Sequence, residues 1–135
     1  MLSRRAALVF GIADLLTAAV VGMGVFAALP ARWWPVDSAA AVLIVLEVAA
    51  GAGLVAGTAW AERAARAASA VALALGLFLV TVLAVTASWL SGVYGPVGAG
   101  GAIILTLVAV MALPYLVVLP VVELVWLRPP PRVGG

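Results

Sequence analysis

Cysteine, histidine and lysine are absent from this chain, and charged residues of any kind make up only 9% of it. Without cysteine there is no disulfide framework and no thiol redox centre. Without both cysteine and histidine, a zinc site of the usual ligands and a haem held by His or Cys are excluded. The commonest general base is missing too. A polar site must therefore be assembled from Asp, Glu, Arg, Tyr, Trp, Ser or Thr, and no metal or cofactor is expected. The seven basic residues are all Arg, and the net charge is only +2. The arginines are spread along the chain and form no patch, which speaks against a nucleic-acid partner.

What is present is apolar. Of 135 residues, 67% are hydrophobic. A soluble domain is about 45–50% apolar and about 25% charged. The composition predicts a membrane protein of one domain, with the lipid bilayer as its first partner.

The stretch from Ser38 to Trp60 shows the pattern most clearly. It is long enough to cross a bilayer as a helix. A single carboxylate, Glu47, interrupts it. A charge at membrane depth costs about 2.5–3.5 kcal/mol on insertion scales. Glu47 must therefore face protein or carry a proton.

Three further runs complete an all-α, up-down bundle of four transmembrane helices, at about 6–29, 38–60, 67–90 and 102–127. The first follows the basic start MLSRR, contains Asp14 and ends at Pro30. AERAAR (61–66) reads as a charged turn, and SGVYGPVGAGG (91–101) as a Gly/Pro-rich loop. Residues 128–135 read as a flexible tail. On this layout Arg4, Arg5, Arg63, Arg66, Arg128 and Arg132 share one side and Arg32 stands alone on the other. That asymmetry predicts both termini in the cytoplasm, in a cell (plasma or inner) membrane. Trp33, Trp34, Trp60, Trp89 and Trp126 fall near the expected interfaces.

A helical rise of about 1.5 Å per residue converts position into depth. Glu47 comes out roughly 20 Å in, Thr81 roughly 21 Å, Tyr115 roughly 18 Å, Thr17 roughly 16 Å and Asp14 roughly 12 Å. Asp14, Glu47, Thr81 and Tyr115 are thus candidates for one polar centre that takes a proton or cation. Glu123, roughly 6 Å from a helix end, is expected to reach the interface or pair with Arg63 or Arg128. Gly11 lies on a small-residue face with Ala7, Asp14 and Ala18, and Gly53 and Gly57 form a GxxxG pair; both patterns suit helix packing. Pro114 and Pro120 remove backbone donors and would free the carbonyls of Val110 and Leu116, making helix four a candidate hinge.

Helix number and an acid in the first helix are similar to small multidrug transporters, but no motif of theirs is present and no residue role is transferred. Three functions remain. The first is a non-catalytic, complex-forming subunit, homo-oligomeric or accessory to other membrane subunits. The second is a small proton- or cation-coupled transporter or channel using Glu47 and Asp14. The third is an intramembrane enzyme acting on a lipid or isoprenoid. A small cation or an amphipathic molecule would be the ligand.

Overall fold

The computed structural model describes residues 2–28 and 32–127, and all its regular structure is helical. Helix α1 (Arg4–Gly22) continues as a π-helical segment, Met23–Ala28. Helix α2 is Trp34–Ala56 and α3 is Ala61–Leu113. A second π segment, Pro114–Val118, leads into α4, Leu119–Trp126. Three helical stretches, Arg4–Ala28, Trp34–Ala56 and Ala61–Trp126, are long and apolar enough to cross a membrane.

The helix ends follow local chemistry. Ser3 caps α1 by accepting from the Ala6 N–H at 3.3 Å, which satisfies one of the free donors of a first turn. At the other end, Arg32 donates to the carbonyls of Val25 (3.4 Å) and Phe26 (2.9 Å). Its guanidinium also lies 3.6 Å from Asp37. A cation there meets the negative end of the helix dipole. The expected stop at Pro30 falls outside the described residues, as does the tail 128–135.

Helix α2 begins earlier than the sequence predicts because Pro35 suits the first helical turn. It also ends earlier. Gly57 adopts φ 71°, a left-handed conformation that costs glycine nothing and terminates the helix. Thr58 N–H then donates back to Gly53 O at 3.0 Å. AERAAR is accordingly the opening of α3 and not a turn, with Glu62 in its first turn. Glu62 Oε1 accepts from Leu2 N–H at 3.0 Å, tying the chain start to α3. SGVYGPVGAGG also differs from expectation: it is helical on both sides of Gly95, whose φ of 54° and ψ of −134° break the helix direction. Pro96 follows that break, so its missing donor falls where no helical bond is made.

Close helix approach is set by glycine. A Cβ at Gly51 would lie 2.6 Å from the Gly11 carbonyl oxygen, and one at Gly11 would lie 2.8 Å from the Gly51 oxygen. These two residues fix the crossing of α1 and α2. On the other side, Gly76 of α3 touches the backbone of Leu116. Pro120 is buried on α4 and leaves the Leu116 carbonyl without its helical donor. The freed carbonyl is the one that meets Gly76.

At one end of the molecule, called here the near end, α1 starts, α2 stops and α3 starts. Phe10, Ala50, Leu54, Ala61, Ala65, Ala68 and Leu127 form a hydrophobic cluster there. Phe10 meets Trp126 edge-on at 6.2 Å. Beyond Gly76, only Ala87, Gly98 and Ala109 of α3 are buried.

Candidate functional site

Five polar side chains are buried: Asp14 (1% exposed), Thr17 (0%), Glu47 (3%), Ser69 (1%) and Glu123 (2%). They come from α1, α2, α3 and α4. The glycine contact brings α1 against α2, so that Gly51, one turn from Glu47, lies 3.1 Å (by its added Cβ) from Asp14 Cβ. The Phe10–Trp126 contact sets the register of α1 against α4. One turn deeper, that register places Asp14 beside Glu123. Asp14 consequently sits between two acids, with its carboxyl against both Glu123 and Glu47.

This is an unusual juxtaposition. Carboxylate oxygens only accept hydrogen bonds. Neither oxygen of Asp14 has a donor, nor does Glu123 Oε1 or Thr17 Oγ1. No Arg side chain is hydrogen-bonded to the three acids among the described residues; the arginine bonds go to Val25, Phe26, Glu62 and Asp37. Unpaired buried acceptors of this kind cost about 1–3 kcal/mol each. Three adjacent acids without a counter-charge need protons, a cation, or both.

Ser69 constrains the answer. Its Oγ lies 2.7 Å from the Ala65 carbonyl and 2.5 Å from Glu123 Oε2. A hydroxyl has one proton, and a carbonyl can only accept. Both contacts are satisfied when Ser69 donates to Ala65 and a protonated Glu123 donates to Ser69. The short separation fits a hydrogen bond between oxygens.

The expected site residues separate into two groups. Asp14 and Glu47 are brought together, and Gly11 packs beside them against Gly51. Thr81 is not there: it is exposed, and its hydroxyl donates to Leu77 O at 2.7 Å. Tyr115 is also exposed. Depth alone put those two near Glu47; their helix faces carry them outward. Gly53 meets Trp60, Ala61 and Thr58 at the α2–α3 turn, and Gly57 has open space around it, so the pair forms no continuous packing stripe. Pro114 opens the second π segment and Pro120 is buried.

Glu123 corrects the expectation most clearly. It is enclosed and bonded to Ser69, and it neither reaches the interface nor pairs with Arg63. Arg128 lies outside the described residues. Ser69 is a site residue that sequence reasoning overlooked. A signal for it existed: Ala61, Ala65, Ser69, Ala72 and Gly76 recur at helical spacing as a small-residue face, and Ser69 is its one polar member.

A separate groove of about 410 Å³ opens at the near end, between Arg4, Leu8, Leu54, Val55, Thr58 and Glu62. None of the three carboxyls lines it. Leu54 and Ala61 of the hydrophobic cluster form part of its wall.

Comparison with protein-family models, with curated proteins and with solved structures gives no match.

Proposed function

We propose that the chain is an integral membrane protein that binds and passes a small cation, a proton or a monovalent ion, at the carboxyl centre of Asp14, Glu47 and Glu123. The observation that carries this reading is the burial of three acids from three helices, with Asp14 against both Glu47 and Glu123 and no basic side chain bonded to them among the described residues. Acids inside an apolar helical bundle are expensive to keep, and such residues mark ion and proton paths.

Membrane placement is supported by an inside-out surface. The buried residues are mainly Ala, Gly and the polar five, whereas Val9, Ile12, Leu16, Val45, Phe78 and Met111 are exposed. In water that arrangement would forfeit hydrophobic burial; in lipid it costs nothing, and small residues then bring helices together. We read the chain as four transmembrane segments, up-down-up-down, with α3 divided at Gly95. The Arg distribution supports both termini on the cytoplasmic side, in a plasma or inner membrane.

The test is flux. Purified protein in liposomes is expected to carry protons or alkali cations down an imposed gradient, and Glu47→Gln and Asp14→Asn are expected to abolish that flux with expression and particle size unchanged. Flux at the wild-type rate in both variants would sink this reading.

A complex-forming subunit is the second reading. Its support is the sparse burial of α3 beyond Gly76, a surface of exposed Leu, Val and Phe side chains that another membrane chain or a second copy would cover. A particle mass of one chain in native-like lipid discs would count against it.

A further inference from the structure

The carboxyl centre contains one group that the proton argument does not use. Thr17 is fully buried, one turn from Asp14 on the same face of α1, and its hydroxyl has no partner. Threonine in a helix has a partner to hand, the carbonyl four residues back. Thr81, Thr86, Ser88 and Thr106 all use it, at 2.7–2.9 Å, although each is at the surface. Ser69 uses it as well. Thr17 does not, although it is sealed from solvent.

The unpartnered oxygens form a set. They are Asp14 Oδ1 and Oδ2, Glu123 Oε1 and Thr17 Oγ1, each enclosed. All are hard oxygen donors, the ligand type that suits alkali and other hard cations. Charge selects among those: three facing acids sealed from solvent cannot all ionise, so the centre carries a low net charge and suits a singly charged ion. Asp14 lies at its middle. The groups facing it are Glu47 from α2 and Glu123 from α4, with Ser69 from α3 behind Glu123.

We propose that Asp14, Thr17 and Glu123 Oε1 form an oxygen site for one dehydrated alkali cation, for which protons compete. This inference rests on the cation-handling function above and names its substrate class. It also gives Thr17 a role as a ligand and Ser69 a role as a positioning residue that holds Glu123 Oε2 and leaves Oε1 free.

The experiment is equilibrium binding of sodium, potassium and lithium to the full chain in lipid discs, at fixed ionic strength with choline as the replacement ion. Saturable binding of one alkali ion per chain is expected, weakening as pH falls. Thr17→Val is expected to weaken it by about tenfold or more, as loss of a hydrogen-bonding ligand to a charge would. Thr17→Ser is expected to restore it, and Asp14→Asn to abolish it. Each variant is checked by its melting profile, and the wild-type measurement decides even if a variant fails to fold. Proton flux without alkali binding would overturn this inference and leave the broader reading standing. Absence of both would remove both. Binding unchanged in Thr17→Val and Asp14→Asn would place the ion elsewhere and overturn the inference.

Discussion

The buried hydroxyls of the near half, Thr17 and Ser69, differ in their partners from the exposed ones in the far half of α3. In the far half every described helical Ser or Thr, from Thr81 to Thr106, bonds to a carbonyl within its own helix. In the near half Ser69 adds to its bond within α3 a second contact across to another helix, and Thr17 reaches nothing. The difference follows from how closely the backbones approach. Gly11, Gly51 and Gly76 let α1, α2 and the segment around Leu116 come within contact of one another's carbonyls. The far half has glycines as well, but there Gly98 meets only Leu90 and Tyr94 across the Gly95 break, and Gly92 and Gly100 face open space. Glycine content is therefore no guide to packing here; the partner of each glycine is.

Matched substitutions test this contrast. The largest effect is expected from steric insertion. Gly76→Leu would push a side chain into the Leu116 backbone and should cost about 3 kcal/mol or more, beyond ordinary overpacking because backbone cannot give way. Gly92→Ala and Gly100→Ala should instead stabilise, by up to about 1 kcal/mol, since alanine is the better helix former. Reversible unfolding in mixed micelles measures all three. A penalty at Gly92 or Gly100 as large as that at Gly76 would mean that something covers the far half, and would favour the subunit reading.

Hydrogen bonding gives the next pair. Ser69→Ala strips Glu123 of its partner and should cost about 1–3 kcal/mol. Ser88→Ala removes only an exposed bond within one helix and should fall within about 0.5 kcal/mol of the parent. Equal effects in the same unfolding assay would erase the distinction between the halves.

The smallest expected effect has the opposite sign. In alkali-free choline buffer, Thr17→Val removes an orphaned hydroxyl and should stabilise by about 1 kcal/mol. Thr106→Val loses a satisfied bond at the surface and should be neutral or slightly destabilising. A destabilised Thr17→Val under those conditions would show that the hydroxyl has a partner after all.

Much of the helical content was legible in the sequence, because apolar runs of that length leave few alternatives. Asp14 and Glu47 were legible as a polar centre for the same reason: an acid in such a run has to be accounted for. Glu123 was not. Counting from the end of its helix places it near an interface, and a helix starting at 67 leaves its partner Ser69 unremarked in the first turn. The helix begins at Ala61, which moves Ser69 two turns inward. The boundary was misplaced because AERAAR is charged and resembles a turn, whereas the actual stop is the left-handed Gly57. Thr81 and Tyr115 lie apart from the three acids for a different reason. Depth is one coordinate and facing is another, and only packing fixes the second.

The π segment at Pro114–Val118 has a consequence for how this chain can change by single codons. Leu119 N–H bonds to Pro114 O, five residues back instead of four. One residue more than an α-helix needs is held in that turn, so everything after it is rotated by about 100°. Glu123 faces Ser69 and Asp14 only with that rotation in place. Deleting one residue between 114 and 118 would leave a continuous helix of the same composition with its acid turned towards the outside. A one-codon deletion there is thus the shortest change that would take the third acid out of the centre.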